Sequence, residues 1–252
     1  MHSRERHFAM LNDNRVVRPF EWGTEYITDN PNGRDPRELF SEYAHHTVEH
    51  SDEFFFLPEI EDFKLDQKSS PPYEGGVDAA LGGRGGSLSP ERQILTWTSS
   101  ITTASPENNT AVATYFPHET NKKAAVVVLP HWNAKAGTYF DLCKFFNKVG
   151  LSALRLTLPY HEERMPPELE RADYLVAPNV GRTLQSLRQS VVDSRAAVRW
   201  LKQQGYEKVG IVGTSIGSCV GFFAFVHDMD IDAAVFNHVS GYPSDVVWHG
   251  LA

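Results

Sequence analysis

Hydrophobic positions in the second half of the chain fall into short segments that alternate between two periods. Continuous apolar runs occupy residues 123–130 ("KAAVVVLP"), 151–159 ("LSALRLTLP") and 208–213 ("KVGIVG"), as expected of strands that are covered on both faces. Between them, apolar residues recur every three or four positions, which is the period of an amphipathic helix. An apolar helix at 216–227 and a strand at 232–241 complete the series. This alternation predicts an α/β fold, with a mostly parallel sheet and helices on both faces.

Glycines mark the predicted ends of the two helices that connect these strands. The first helix should end at Gly150 and the second at Gly205, because glycine readily adopts the left-handed conformation that terminates a helix. The apolar positions are Tyr139, Leu142, Cys143, Phe146 and Val149 in the first helix, and Leu184, Leu187, Val191, Val198 and Leu201 in the second.

Two further strands precede the parallel region. "QILTWTSSI" (93–101) and "NNTAVATYFPH" (108–118) flank the turn sequence "SPENN". They predict an antiparallel hairpin at the edge of the sheet. The core domain is therefore expected to cover residues 91–252.

The region before residue 91 has a different character. Residues 1–70 are mostly irregular, with a short helix predicted from Asp35 to His50 that has Pro36 in its first turn, and they are expected to form an extension packed on the core. Residues 71–90 ("PPYEGGVDAALGGRGGSLSP") are rich in glycine and proline and predict a flexible insertion.

Composition excludes several classes of function. The chain has 252 residues, 41% of them hydrophobic and 22% charged, with a formal net charge of −8 spread along the sequence. This balance is that of a globular protein and does not suit a nucleic-acid surface. No apolar run approaches the ~20 residues of a membrane span, and the first ten residues lack a secretory signal. Cys143 and Cys219 are expected to be buried free thiols, which favours a reducing, cytoplasmic location.

One pentapeptide predicts chemistry. Residues 213–217 read Gly-Thr-Ser-Ile-Gly, a G-x-S-x-G pattern between a predicted strand and a predicted apolar helix. Glycines two positions before and after Ser215 permit a sharp strand-to-helix turn that raises the serine hydroxyl above the sheet. The pattern alone is a weak signal, and its position in the alternating array gives it weight. Ser215 is therefore a candidate nucleophile, and the alternative is a small residue in a buried turn.

Together with this pentapeptide, longer strings resemble the α/β-hydrolase superfamily, in its bacterial branch related to dienelactone-hydrolase-like esterases. The strings are "VVVLPHWNA" (126–134), "LPYHEERMPPEL" (158–169), "NVGRTLQS" (179–186) and "GTSIGSC" (213–219). The resemblance implies an esterase that acts on a small-molecule carboxylic ester or thioester through an acyl-enzyme and needs no cofactor.

Individual roles follow from this resemblance. It implies that Ser215 is the nucleophile and that the Ile216 amide is one donor of the oxyanion hole. The second donor comes from the loop after residue 130, where either the Trp132 or the Asn133 amide is a candidate, and Trp132 stands where the family often has glycine. Gly213 and Gly217 would permit the sharp strand-to-helix turn at Ser215, which in this superfamily is called the nucleophile elbow.

Other polar residues at strand ends are candidates for the walls of the pocket. His131 lies in the predicted oxyanion loop, and Tyr160 and His161 follow the strand at 151–159. A pocket-lining or loop-fixing role fits them better than direct chemistry. The histidines and carboxylates show no spacing typical of a metal site, so no metal is expected.

The sequence offers no obvious general base for Ser215. In the superfamily the acid and the histidine follow the nucleophile, whereas here only His227, His238 and His249 do so. His238, near the predicted tip of the next strand, is the best internal candidate. The expectation is that the chain is truncated and that the C-terminal strands with the acid and the histidine are missing. The alternatives are a non-catalytic module that binds a ligand or partner, and a second chain that supplies the base.

Overall fold

A seven-stranded sheet runs through the computed structural model, which describes residues 19–28, 33–66 and 92–237. Its strand order is β1-β2-β3-β5-β4-β6-β7. The strands are β1 (Lys64–Asp66), β2 (Gln93–Thr98), β3 (Thr110–Phe116), β4 (Ala124–Leu129), β5 (Ser152–Thr157), β6 (Lys208–Thr214) and β7 (Ala233–Asn237). The predicted insertion at 71–90 lies outside the described residues.

The sheet is mostly parallel, as the sequence predicts. The pairs β4–β5, β4–β6 and β6–β7 are parallel, whereas β1–β2, β2–β3 and β3–β5 are antiparallel, so only β1 and β3 run against the rest. The predicted hairpin of β2 and β3 is present, but it is not the outermost element. The short strand β1 pairs with β2 and forms that edge, since Lys64, Leu65 and Asp66 lie opposite Thr96, Leu95 and Ile94.

Five α-helices and three short 3-10 helices connect or flank the described strands. The α-helices are α1 (Pro36–Glu49), α2 (Ser51–Phe54), α3 (Phe140–Lys148), α4 (Val180–Gln203) and α5 (Ile216–Val226), and the 3-10 helices are Thr24–Tyr26, Pro106–Asn109 and Glu162–Arg164. The stops at Gly150 and Gly205 are confirmed, with φ of 88° and 91° just beyond α3 and α4. The predicted helix near residue 35 is confirmed as well, and the Asp35 side chain caps it by accepting from the Arg37 amide.

Helices cover both faces of the sheet, and the alternation of side chains along β4 shows how. Val127 and Leu129 point to a large core that α4 and α5 cover, whereas Val126 and Val128 point to a smaller core that contains Cys143 of α3. Successive residues of a strand face opposite sides, so a continuous apolar run is what a strand between two helical layers requires. The prediction of an α/β sheet with helices on both faces is confirmed.

Three arginines of α4 hold the chain that leaves α2. Arg188, Arg195 and Arg199 lie seven and four residues apart, so they project from one side of the helix. All three guanidinium groups donate to backbone carbonyls, those of Phe54, Phe55 and Pro58 respectively. This contact places the apolar residues Phe55 and Leu57 in the core beside α4.

None of the described helices combines the length and the apolar character that crossing a bilayer would take.

Both cysteines are free thiols. Cys143 is buried, which raises the pKa of its thiol to about 12, whereas Cys219 is half-buried rather than buried as expected.

Candidate active site

Ser215 lies at the junction of β6 and α5 in a strained backbone conformation. Its φ is 54° and its ψ is −121°, and it is the residue immediately before the first turn of the helix. A non-glycine residue with positive φ is uncommon and costs of order 1–3 kcal/mol, so the surrounding structure must impose it. The side chain is partly exposed at the carboxyl edge of the sheet. The predicted sharp turn is therefore present, with the serine at its apex.

The two glycines of the pentapeptide allow this turn because they have no side chain and neither position has room for one. A Cβ on Gly217 would lie 2.5 Å from the carbonyl oxygens of both Leu129 and Pro130, at the end of β4. A Cβ on Gly213 would overlap the carbonyl of Gly217 itself. The first turn of α5 consequently packs directly against the backbone where β4 ends.

A second serine fastens the elbow to the neighbouring strand. The buried Ser218 hydroxyl lies 2.8 Å from the Gly213 carbonyl and 2.7 Å from the Asn237 carbonyl, both of which can accept its proton. The Ser215 amide also donates to the Asn237 carbonyl, at 2.9 Å. The strained turn is thus held from β6 and from the end of β7.

The Ile216 amide is suited to bind a negative charge. Ile216 is the first residue of α5, so its N–H has no acceptor within the helix. The amide also lies at the positive end of the helix dipole. Ser215 therefore has a backbone donor beside it, as an oxyanion site requires.

The loop after β4 approaches the same point. Leu129, the last residue of β4, is paired with Gly213 of β6, so the loop that follows starts beside the elbow. It opens with a turn in which the Ala134 amide donates to the His131 carbonyl at 3.2 Å, and Asn133 has a φ of 57°. The three residues of interest in this loop, 131–133, are all partly exposed.

Ala172 anchors the side chains of this turn. The Trp132 indole N–H donates to the Ala172 carbonyl at 2.8 Å, and the Ala172 amide donates to the Asn133 side-chain oxygen at 2.8 Å. The Arg171 guanidinium carbon lies 5.4 Å from the centre of the Trp132 ring. The indole of Trp132 therefore ties the turn to residue 172.

His161 contacts the backbone of the same turn. Its Nε2 atom lies 2.9 Å from the Asn133 amide nitrogen, which donates to it, and its Nδ1 atom lies 2.9 Å from the Pro159 carbonyl oxygen. The side chain is only 2% exposed. Burial lowers the pKa of this imidazole to about 4, so it is neutral at neutral pH.

A buried polar network shapes the loop that carries His161. Tyr160 has a φ of 62°, and its amide donates to the Asn108 side chain at 3.1 Å. The fully buried Arg164 donates to the Asn108 carbonyl and lies 2.9 Å from a carboxylate oxygen of Asp193 on α4. Tyr160 is itself 2% exposed, and burial raises the pKa of its hydroxyl. Tyr160 and His161 therefore lie inside this loop structure rather than on an open wall.

Two solved structures of similar fold are named acetyl xylan esterases. An acetyl xylan esterase from Paenibacillus sp. R4 is 12% identical and matches 92% of this chain and 68% of its own, with a TM-score of 0.53. A putative acetyl xylan esterase from Bacteroides fragilis, also 12% identical, matches 89% of this chain and 61% of its own, again with a TM-score of 0.53. With the strand order and the elbow, these likenesses decide the fold.

The chain has the α/β-hydrolase fold.

A third solved structure is less similar in fold to this chain. A cold-adapted esterase from an Arctic intertidal metagenomic library is 19% identical over 59% of this chain and 60% of its own, with a TM-score of 0.45. The chain thus spans 60 to 68% of the length of these three structures. No protein-family model matches the sequence, and no curated protein matches it.

Within this hydrolase fold, the described histidines do not meet Ser215. The His131 Nδ1 atom is 2.7 Å from the Tyr139 hydroxyl, and the His227 Nδ1 atom is 2.7 Å from an Asp52 carboxylate oxygen. His227 follows the far end of α5, ~18 Å along the helix from Ser215. In residues 19–28, 33–66 and 92–237, no histidine is hydrogen-bonded to Ser215, and His238 lies outside them.

Among the residues that the structure describes, no group of three or more His, Cys, Asp or Glu side chains is arranged to hold a metal ion.

Three contributors to this site were missed by the sequence reasoning. Ser218 had a signal, because it follows the elbow glycine directly in "GTSIGSC". Ala172 and Asn108 had no signal in the sequence. Ala172 acts through its backbone and Asn108 through its side-chain amide, and both contact residues far away in sequence. Such contacts depend on which loops the fold brings together.

Proposed function

We propose that the protein is a serine hydrolase of carboxylic esters or thioesters that acts through an acyl-enzyme on Ser215. The observation that carries this proposal is the positive φ of Ser215 at a strand-to-helix turn whose two glycines have no room for a side chain. A fold does not retain such strain without compensation, and a raised nucleophile beside a free helix-terminal amide is its chemical use.

The proposed reaction has two halves. The Ser215 oxygen attacks the carbonyl carbon while its proton passes to a general base. This attack turns the carbonyl into a tetrahedral intermediate whose oxygen is negatively charged. The Ile216 amide and an amide of the loop 131–133 donate to that oxyanion. The ester C–O or thioester C–S bond then breaks, and the leaving group takes the proton back from the base. Water attacks the acyl-enzyme in the same way and releases the carboxylic acid and the free serine. No cofactor is needed for any of these steps.

No described residue has the role of general base in this proposal. The described histidines are occupied elsewhere or lie far from Ser215. His238 follows Asn237, whose carbonyl accepts from the Ser215 amide, so it is the first residue to test. If His238→Ala abolishes turnover and leaves the protein folded, His238 is the base, and retained turnover assigns the base to another residue.

The test of the nucleophile is labelling with a fluorophosphonate followed by mapping of the modified peptide. Ser215 should be labelled, and Ser215→Ala should lose both labelling and hydrolysis of p-nitrophenyl acetate, a short ester chosen because two structures of similar fold are named acetyl xylan esterases. The matched control is Cys219→Ala, one helical turn away, which should keep the label. Labelling that persists in Ser215→Ala would refute the proposal.

The second candidate is a non-catalytic module that binds a ligand through the same crevice. It is favoured by the absence of a hydrogen-bonded histidine at Ser215 within the described residues. A folded protein that ignores the fluorophosphonate, and whose Ser215→Ala variant binds a small ester as the unchanged protein does, would support this alternative.

A further inference from the structure

We infer that His161 is a positioning residue that holds the Asn133 amide and leaves the Trp132 amide as the second donor to the oxyanion. This inference rests on the proposed function, since it assigns a donor to the same site. It chooses between two amides that the sequence leaves equivalent, and it gives the buried histidine a role other than that of a base.

The contacts of His161 fix which of its nitrogens carries the proton. The Pro159 oxygen beside Nδ1 is a carbonyl and can only accept, so Nδ1 must donate. Nε2 is then the acceptor, and the Asn133 amide 2.9 Å away supplies its proton. Both nitrogens of a neutral imidazole are satisfied, which a side chain of 2% exposure requires.

The turn at 131–134 presents the other amide. A hydrogen bond from the Ala134 amide to the His131 carbonyl closes the turn, and the positive φ of Asn133 at its third position is typical of a type II turn. Within the described residues, no group accepts a hydrogen bond from the Trp132 N–H. This amide lies two residues after Pro130, whose carbonyl packs against the first turn of α5.

Preorganisation favours Trp132 over Asn133 as the donor. An oxyanion donor is most effective when it is already free and fixed, because no bond must then break as the charge develops. To serve as the donor, the Asn133 amide would have to break its hydrogen bond to Nε2 of His161 and leave that buried nitrogen without a partner. Among the described residues, the Trp132 amide has no such bond to lose, and the contacts of Trp132 and Asn133 with Ala172 hold the turn at its other side.

The first test measures the hydrogen bond itself and needs no catalysis. In the uniformly ¹⁵N-labelled full chain, a scalar coupling transmitted through the hydrogen bond should connect the Asn133 amide nitrogen with Nε2 of His161. The Nε2 resonance should have the shift of an unprotonated acceptor nitrogen. Absence of the coupling together with a protonated Nε2 would overturn the role of His161.

The second test removes the Trp132 N–H without changing the turn type. Trp132→Pro deletes the amide proton at the turn position that proline favours, and Trp132→Ala is the matched control that loses only the indole. Trp132→Pro should react with a fluorophosphonate ~10²–10³-fold more slowly than Trp132→Ala, the usual effect of losing one oxyanion donor. Equal rates in the two folded variants would show that the Trp132 amide is not a donor.

The third test separates positioning from a general structural role. His161→Leu removes the acceptor for Asn133, whereas His161→Gln keeps a side-chain oxygen that can accept. His161→Leu should lower the labelling rate by ~100-fold, which is the scale of a misplaced catalytic group. In a turnover assay it should lower kcat by the same factor and leave KM nearly unchanged. His161→Gln should restore most of the lost rate. If the two variants are equally impaired, the acceptor is not what matters and the inference fails.

These outcomes are distinguishable from failure of the proposed function. If the unchanged protein is not labelled at Ser215, the oxyanion assignment falls together with the proposed hydrolase. The through-bond coupling is still measurable in that case, and it alone decides whether His161 holds the Asn133 amide.

Discussion

The packing of Gly217 against the end of β4 predicts a large difference between two neighbouring glycine substitutions. A Cβ at Gly217 would lie 2.5 Å from two backbone carbonyl oxygens, those of Leu129 and Pro130. Gly221, one turn further along α5, is the matched control, since its added Cβ would find only side-chain carbons at 3.4 to 3.8 Å. Both sites lie in the same helix, and only one is sterically closed.

The magnitude follows from two opposing terms. Alanine is favoured over glycine in a helix by up to about 1 kcal/mol, and this gain applies to both substitutions. At Gly217 the carbonyls must move by about half an ångström or more, and forced displacement of packed groups costs about 1–3 kcal/mol, occasionally more. Gly221→Ala should therefore be neutral or slightly stabilising, and Gly217→Ala should be less stable than it by about 1–3 kcal/mol.

Chemical denaturation followed by circular dichroism measures both free energies of unfolding on the same chain. In thermal melts, a difference of about 1–3 kcal/mol corresponds to a shift of roughly 2–12 °C in Tm for a protein of this size. Gly217→Ala should also lower the fluorophosphonate labelling rate, because the displaced helix turn carries the Ile216 amide. Equal stability of the two variants would refute the close approach of α5 to β4.

Three further predictions concern buried polar groups. The pKa of His161 is about 4 in the fold and near 6.5 in the unfolded chain, so the unfolded state binds more protons between these values and stability should fall as the pH drops. Between pH 7.5 and 4.5, the unchanged protein should lose about 2–3 kcal/mol more free energy of unfolding than His161→Gln does, as measured by denaturation curves. Ser218→Ala, which removes the hydroxyl that pins the elbow, should cost about 1–2 kcal/mol in the same assay. Asp193→Ala should cost about 3–5 kcal/mol because Arg164 is left charged and buried, whereas the double variant Asp193→Leu with Arg164→Met should cost less.

Each of these has a contradicting result. A pH dependence of stability that is the same in His161→Gln as in the unchanged protein would mean that His161 titrates normally. A Ser218→Ala variant of unchanged stability would show that the elbow does not depend on this hydroxyl. A double variant at 164 and 193 that is less stable than Asp193→Ala would show that the ion pair is not replaceable by apolar packing.

Much of the fold could be predicted because the decisive information is local. The run at β4 alternates between two cores, and Gly150 and Gly205 take up the left-handed conformation where periodicity ends. The strand β1 could not be predicted. It has three residues, all exposed, so it carries no hydrophobic period and exists only because β2 offers an open edge.

The candidate site divides in the same way. The elbow at Ser215 follows from the sequence, because a serine between two glycines at a strand-to-helix junction has few conformations open to it. The contacts of His161 with Asn133, of Trp132 with Ala172 and of Ser218 with β7 were decided only by the tertiary structure. They join segments 19 to 40 residues apart in sequence, and no local pattern records which loop an amide or an imidazole will face. The sequence by itself thus determined where the candidate nucleophile Ser215 lies, and the packing of three loops decided that the Asn133 amide is bound to His161.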